Sequence, residues 1–180
     1  MYSILFFVTL IIGMIHPTNG GLAMQLKSPA FSEGGKIPSL FTCDGRNINP
    51  ELIISGVSSE AKSLVLLMDD PDVPESVRKD RMWDHWVVFN IPPQTKTIPE
   101  NSQPEGVPGK NTGGNLGYQG PCPPDREHRY FFKLYALDTT LDLPKGSSKK
   151  AVEKTMQGHI IAETQLMGKY ERPGKKGCCG

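Results

Sequence analysis

The fold class predicted from the sequence is mainly β, namely an antiparallel β-sandwich of two sheets with one or two short helices near the C-terminus. Short apolar runs separated by turn residues are typical of such a fold. The 180 residues include 19 glycines and 16 prolines, which favour turns and disfavour a helical bundle. An apolar fraction of 37% suits one domain with a single core. Residues 24–180 are therefore predicted to form one domain, with a short flexible tail from about residue 172.

Several apolar runs bounded by turn residues are predicted to be strands. Two of these runs lack alternation, which indicates fully buried strands. In another run the side chains alternate, so that His128, Tyr130 and the apolar residues that follow share one face. The predicted strands cover residues 40–43, 52–54, 63–68, 85–91, 129–137 and 160–170.

One helix is predicted after residue 146. Ser147 or Ser148 provides the N-cap, and Val152 and Met156 form an apolar pair at i, i+4 spacing. Gly158 is expected to end this helix.

The N-terminal segment differs in composition from the rest of the chain. Residues 4–15 are almost wholly apolar but too short to span a bilayer as a helix. Residues 21–23 (Gly-Leu-Ala) suit a cleavage site, so residues 1–23 are predicted to be a signal peptide and the protein to be secreted or periplasmic. The alternative is that Met24 is the true start, which predicts a cytoplasmic protein.

Charge and cysteine usage disfavour several classes of function. The net charge is +1 and no basic stripe is present, so nucleic-acid binding is not expected. No basic amphipathic helix is visible, so membrane contact is expected to be peripheral at most. The four cysteines contain no C-x-x-C pair, which disfavours a zinc ribbon, and their pairing stays open. Cys178 and Cys179 lie in the tail and are expected to be free thiols.

Two carboxylates follow the buried run 63–68. Asp70 and Asp72 lie in a segment that Pro71 and Pro74 hold extended. Both side chains are therefore expected to point the same way, about 6.6 Å apart along the strand. The alternative is a turn closed by Asx-type hydrogen bonds.

Two histidines stand at the start of apolar strands. His85 and His128 are each expected at the margin of a sheet beside the core, and Tyr130 shares the face of His128. Trp83 and Trp86 flank His85, and one of them is expected to form a wall of a pocket.

These segments together resemble the phosphatidylethanolamine-binding proteins. The resemblance extends from about residue 26 to residue 170 and is nearest to the bacterial-type, Raf-kinase-inhibitor-like branch. The motifs that carry it are DPDVP at 70–74, DHWVVFNIP at 84–92, GPCPP at 120–124 and HRY at 128–130, with TCDG at 42–45 and GYQGPCPP at 117–124 pointing to that branch.

The resemblance implies a β-sandwich with a small anion pocket near the surface. By motif position, the ligand-binding residues would be Asp70, Asp72, His85, Cys122, Pro123, Pro124, His128 and Tyr130. Cys122 stands where animal members tend to have a glycine, and the loop to the histidine is shorter. The lipid preference of those members is therefore not expected to carry over. No catalytic residue, metal or cofactor is predicted.

The leading functional hypothesis is a non-enzymatic protein that binds phosphate-bearing small molecules such as phospholipid head groups. Imidazole N–H groups, the Tyr130 hydroxyl and backbone N–H groups would hold the phosphate, and a spare carboxylate would hold a ligand ammonium. One alternative is an inhibitor of a kinase or a protease that acts through residues 92–117, a long irregular connection. The other alternative is a metal-dependent enzyme that uses the His/Asp cluster.

Overall fold

Two antiparallel sheets make up most of the protein, whose computed structural model describes residues 23–174. Residues 1–22 of the predicted signal peptide and the Cys178–Cys179 pair lie outside these residues. In chain order the elements are β1 (Gln25–Lys27), a 3-10 helix (Ser39–Phe41), β2 (Leu52–Ser55), β3 (Ser63–Asp70), β4 (Trp83–Ile91), β5 (Thr97–Ile98), β6 (Val107–Pro108), β7 (His128–Leu137), α1 (Lys149–Met156) and β8 (Ile160–Tyr170).

The smaller sheet has three strands in the order β1-β2-β5, and the larger has five in the order β6-β4-β3-β7-β8. Neighbouring strands pair antiparallel in both sheets. The predicted fold class, mainly β with two antiparallel sheets and a late helix, is confirmed. One α-helix, rather than two, lies within the part of the chain described.

Strand β3 is the centre of the larger sheet and is buried along its whole length. Its side chains enter two different hydrophobic clusters because both faces of the sheet are covered. Leu66 packs in the cluster that contains Trp86 and the smaller sheet, whereas Leu67 packs with Val152 of α1. This double coverage explains why the run 63–68 shows no polar alternation.

Strand β7 alternates as its sequence predicts. His128, Tyr130 and Phe132 are completely buried on one face, while Arg129 is exposed and Lys133 is partly buried on the other. Burial of alternate residues fixes the register of β7 against β3, since a slip by one residue would expose the buried set.

The prediction of a strand at 40–43 is wrong. Residues Ser39–Phe41 form a 3-10 helix, in which the Phe41 N–H donates to the Pro38 carbonyl at 3.0 Å and the Thr42 N–H donates to the Ser39 carbonyl at 3.0 Å. The apolar character of this segment reflects the burial of Phe41 in the core rather than pairing with a strand. A four-residue apolar run does not distinguish these two outcomes.

The helix and the long connection are close to their predictions. Helix α1 starts after Ser148, whose side-chain oxygen accepts a hydrogen bond from the Ala151 N–H at 3.3 Å, and Gly158 follows it with φ +82°. The connection 92–117 contains the short strands β5 and β6 and is otherwise irregular. Within residues 23–174, no helix has the length and apolar character needed to cross a membrane.

Candidate functional site

The end of β3, the start of β4 and the loop that leads into β7 converge on one cavity of about 280 Å³. Pairing of β3 with β4 and with β7 brings these segments together, because Asp70 lies opposite Trp83 and Asp69 lies opposite Phe131. The residues that line the cavity are Asp70, Val73, Val77, Trp83, His85, Gln119, Gly120, Cys122, Pro124 and His128.

The most constrained polar group in the cavity is the imidazole of His128. Its Nδ1 lies 2.7 Å from Asp70 Oδ2, and its Nε2 lies 2.8 Å from Asp125 Oδ1. The two carboxylates differ in accessibility, since the Asp70 side chain is 4% exposed and the Asp125 side chain 44% exposed. The imidazole therefore connects a buried carboxylate to one at the surface.

The contacts of His128 favour its protonated form. A carboxylate oxygen accepts hydrogen bonds, so an imidazole that bonds to two carboxylates donates both N–H groups and carries a positive charge. Burial opposes this charge, but the hydrogen bonds and negative charges of Asp70 and Asp125 outweigh burial and raise the pKa of His128. These contacts therefore favour the imidazolium form of His128.

His85 has the opposite electrostatic character. Burial lowers the pKa of this imidazole, and its Nδ1 lies 2.7 Å from the Gln119 carbonyl oxygen. Because a carbonyl oxygen only accepts, Nδ1 carries the proton, and the neutral ring then has its lone pair on Nε2. The two histidines therefore differ in chemistry: His128 carries two N–H donors, both bonded to carboxylates, and His85 carries an acceptor.

Tyr130 lies behind the two histidines rather than on the cavity surface. Its ring packs edge-on against His85, with centroids 5.3 Å apart, and near-parallel to His128 at 6.4 Å. Its hydroxyl forms no hydrogen bond of ordinary length within residues 23–174. Burial, followed by the nearby charge of Asp70, raises the pKa of this hydroxyl. Tyr130 therefore supports the two imidazole rings from inside the core.

Asp70 and Asp72 contact different partners. The Asp72 N–H donates to Asp70 Oδ1 at 2.8 Å, which is the Asx-type turn considered from the sequence. The Asp72 carboxylate instead accepts two hydrogen bonds from the Arg129 guanidinium, both at 2.8 Å, and one from the Arg129 N–H at 3.0 Å. These bonds to Arg129 are the main cause that holds the pKa of Asp72 at about 2. Asp72 thus anchors the loop beside the cavity and does not line it.

The neighbouring Asp69 points to the other side of the sheet. Its Oδ2 lies 2.8 Å from Lys133 Nζ and 3.2 Å from Lys149 Nζ. Lys149 also lies 2.9 Å from Glu153. Alternation along β3 therefore sends one carboxylate to a lysine-rich cluster under α1 and the next one, Asp70, to the cavity.

A disulfide and a glycine fix the wall formed by the loop. Cys43 and Cys122 are disulfide-bonded, with their Cα atoms 5.4 Å apart, so the loop after the 3-10 helix is joined to the lining of the cavity. A Cβ on Gly120 would meet the Phe41 carbonyl oxygen and would lie 2.7 Å from Asn47 Oδ1. The Gly120 N–H donates to that Asn47 oxygen at 2.7 Å, so this close approach is part of the loop's hydrogen bonding.

The structure brings most of the predicted site residues to the cavity. Asp70, His85, Cys122, Pro124 and His128 line it, whereas Asp72, Pro123 and Tyr130 do not. Of the two tryptophans, Trp83 lines the cavity and Trp86 is completely buried in the core.

Other residues of the site were missed from the sequence. Val73, Val77, Gln119 and Gly120 line the cavity, and Asp125 bonds to His128. The one available signal was the spacing of Asp125 three residues before His128, directly after two prolines.

Most of the cavity wall is apolar, with polar groups gathered at one end. Val73, Val77, Trp83, Pro124 and the disulfide form the walls, and the two histidines with Asp70 form the polar end. Among residues 23–174, no cluster of three or more histidine, cysteine, aspartate or glutamate side chains is arranged to hold a metal ion. The arrangement suits a small ligand with both a polar and an apolar part.

Comparison with known proteins defines the class to which this fold and site belong. Residues 27–171 match the phosphatidylethanolamine-binding protein family. A UPF0098 protein of Methanothermobacter thermautotrophicus is 53% identical over 155 residues, which cover 83% of this chain and 99% of that protein. A UPF0098 protein of Chlamydia trachomatis is 50% identical over 149 residues, with the same two coverages.

Solved structures agree with this assignment. A phosphatidylethanolamine-binding protein homolog from Chlamydia trachomatis has a TM-score of 0.81 and 51% identity, covering 83% of this chain and 98% of its own. Escherichia coli YbcL, described as a member of the mammalian family, has a TM-score of 0.75 and 30% identity, covering 84% of this chain and 99% of its own. The chain therefore belongs to the phosphatidylethanolamine-binding protein family, and the resemblance seen in its motifs is confirmed.

Proposed function

We propose that this protein is a non-enzymatic binding protein whose cavity takes a small phosphate-bearing ligand, such as a phospholipid head group. One observation carries the proposal. A carboxylate oxygen of the chain itself, Asp125 Oδ1, lies 2.8 Å from His128 Nε2. An oxyanion at this position receives a charge-assisted hydrogen bond, and a phosphate oxygen has the same hydrogen-bonding character as a carboxylate oxygen.

The remaining polar groups suit a ligand that both accepts and donates hydrogen bonds. His85, neutral and with its lone pair on Nε2, would accept from a protonated phosphate oxygen or from a ligand ammonium. The buried carboxylate of Asp70 adds negative charge beside the imidazolium of His128. A phosphate that carries its own cation, as phosphoethanolamine does, would match this distribution of charge.

The apolar walls support a ligand larger than phosphate alone. Val77 is 52% exposed and lies at the cavity with Trp83 and Pro124. An organic substituent on the phosphate would bury apolar surface against these side chains, with a gain of about 25 cal/mol per Å² buried. The cavity of about 280 Å³ is at the small end of ligand pockets, which favours a head group over a complete lipid.

Isothermal titration calorimetry tests the proposal with inorganic phosphate, phosphoethanolamine and zinc as parallel titrants. We expect His128→Asn to lose phosphate binding and His159→Asn, which changes an exposed histidine bonded to Asp138, to retain it. Because loss of His128 leaves Asp70 without its partner, Trp83→Ala is a second variant. Trp83→Ala should weaken the binding of phosphoethanolamine more than the binding of inorganic phosphate. Binding of zinc alone would contradict the proposal and favour the metal-dependent alternative.

A role as a protein-level inhibitor is a second candidate, because the connection 92–117 contributes little regular structure and presents exposed residues such as Leu116, which is 45% exposed. A kinase or a protease would be the partner class. Pull-down with and without phosphoethanolamine, using a chain whose Leu116 is changed to Ser, tests this candidate. If the unchanged protein and the Leu116→Ser variant recover the same amount of partner, the inhibitor candidate is contradicted.

We also propose that the protein is exported. The support is the Cys43–Cys122 disulfide, because disulfides persist mainly in oxidising compartments. Cell fractionation followed by N-terminal sequencing tests this: a mature protein that begins near Met24 in the exported fraction is expected, and an intact N-terminus in the cytoplasm would contradict it.

A further inference from the structure

Asp125 occupies the position that the proposed function assigns to a ligand oxyanion. Its Oδ1 is 2.8 Å from His128 Nε2, and the other ring nitrogen of His128 is bonded to Asp70. A phosphate therefore cannot reach an imidazole N–H of His128 while Asp125 stays in place. One of the two carboxylates must leave for an external anion to bind there.

Only Asp125 is free to leave. Asp70 is 4% exposed and is held from the opposite side by the Asp72 N–H at 2.8 Å. The Asp125 side chain is 44% exposed and lies in the irregular segment before β7. Its second oxygen lies 3.5 Å from Arg126 Nη1, so Asp125 has a cationic partner besides His128.

We propose that Asp125 is a specificity-determining residue: its carboxylate competes internally for His128 Nε2, and only a ligand oxyanion that binds the imidazolium better than a tethered carboxylate displaces it. This rests on the proposed function. A tethered group acts at an effective concentration in the millimolar range or above. A free monocarboxylate makes the same contact as Asp125 and lacks this advantage. A phosphate has more acceptor oxygens than a carboxylate, and its monoanion can also donate a hydrogen bond to the lone pair of His85, so it can displace Asp125.

The proposal predicts both affinity and selectivity. While Asp125 engages His128, the apparent affinity for phosphate is reduced by the fraction of molecules in which the position is open. If that fraction is below about one tenth, removing Asp125 tightens phosphate binding at least about tenfold. Removing Asp125 should also allow acetate to bind, because the internal competitor that excludes monocarboxylates is gone.

Calorimetric titration with inorganic phosphate and with acetate tests this on the protein, on Asp125→Ala and on Glu127→Ala. Glu127 is the matched control, because it is an exposed carboxylate two residues along the same segment, and its change to Ala removes the same charge. The titrations are run at about pH 6, below the ordinary pKa of histidine, and the contact with Asp70 still favours the protonated form of His128 in every variant.

The expected result is phosphate binding that is at least about tenfold tighter in Asp125→Ala than in the unchanged protein, with a change below about twofold in Glu127→Ala. Acetate should bind Asp125→Ala alone. If phosphate binds the unchanged protein and Asp125→Ala equally, or if both variants gain equally, the role of Asp125 is overturned while the proposed function stands. If phosphate binds none of the three proteins, the proposed function itself fails.

Discussion

Asp70 Oδ2 lies 2.7 Å from His128 Nδ1, and this contact joins the end of β3 to the start of β7 inside the candidate site. Both side chains are almost completely buried. The hydrogen bond fixes the orientation of the imidazole and stabilises its charged form, so the remaining ring nitrogen is directed at the Asp125 side of the cavity. The position of that second nitrogen is the basis of the proposed ligand chemistry.

The two aspartates of the DPD segment are expected to differ sharply in their effect on stability. Asp70→Ala leaves a buried imidazole without its inner carboxylate, and loss of one partner of a buried pair costs about 3 to 5 kcal/mol in the free energy of unfolding. Asp72→Ala removes a pair whose Arg129 partner is 51% exposed, and such pairs contribute about 1 kcal/mol or less. Urea unfolding of both variants measures the difference, and equal losses would contradict this assignment.

The pH dependence of the Asp72–Arg129 pair follows from the pKa of Asp72. This pKa is about 2 in the folded protein, below the ordinary value of 3.8. A carboxyl whose pKa is lowered by folding stabilises the folded state above its unfolded pKa. This contribution is therefore present above about pH 4 and is lost as the pH falls toward 2.

Arg129→Ala should raise the pKa of Asp72 toward 3.8, because the hydrogen bonds from Arg129 are the largest cause of the lowered pKa. Arg126→Ala is the matched control, since Arg126 contributes only a weaker charge interaction, and it should move this pKa less. Carboxyl ¹³C shifts followed by NMR across the acid range report the value directly. A larger rise of the Asp72 pKa in the Arg126 variant than in the Arg129 variant would contradict the pairing of Asp72 with Arg129.

The Cys43–Cys122 disulfide is expected to stabilise both the fold and the cavity wall. It closes a loop with a sequence separation of 79 residues, and removal of such a bond costs about 2 to 5 kcal/mol. Reducing agent should lower the unfolding midpoint of the unchanged protein. It should have no further effect on a Cys43→Ser, Cys122→Ser double variant. If reducing agent also lowers the unfolding midpoint of the double variant, the stabilisation does not come from the Cys43–Cys122 disulfide.

The two tryptophans provide an optical probe of the cavity. Trp83 lines it, whereas Trp86 is completely buried and packs edge-on against Tyr118 at 5.4 Å. Phosphoethanolamine should therefore change the fluorescence of Trp83. Trp83→Phe should abolish that change and Trp86→Phe should preserve it. A response that follows Trp86 instead would place the ligand outside this cavity.

The sequence predicted the parts of the fold that depend on periodicity. The continuous run 63–68 and the alternating run 129–137 each became a strand of the larger sheet, because burial on two faces and on one face leave different patterns. The segment 40–43 did not follow its prediction, since three consecutive residues of a 3-10 helix can bury an aromatic ring as well as a strand can. A 3-10 helix and a strand differ in their backbone hydrogen bonds, and the pattern of apolar residues does not reveal those bonds.

The candidate site was predicted in composition but not in its internal bonding. Residue type and position identified His85 and His128, yet the sequence did not show that one ring is neutral and the other charged. That difference arises from the partners of each ring, the Gln119 carbonyl for His85 and two carboxylates for His128. Asp125 was missed because an exposed acidic residue in a loop has no pattern that separates a ligand of a histidine from a solvated charge.

The most direct test of a phosphate site at His128 is an NMR titration of the protein with phosphoethanolamine, following the ring ¹⁵N signals of its histidines. Phosphoethanolamine should shift the Nε2 signal of His128 and, to a smaller extent, the signals of His85, in a saturable manner. The exposed imidazole of His159, bonded to Asp138 outside the cavity, should be unaffected. If the His128 signal does not move while the ligand binds, or if His85, His128 and His159 shift together without saturation, phosphate is not bound at His128.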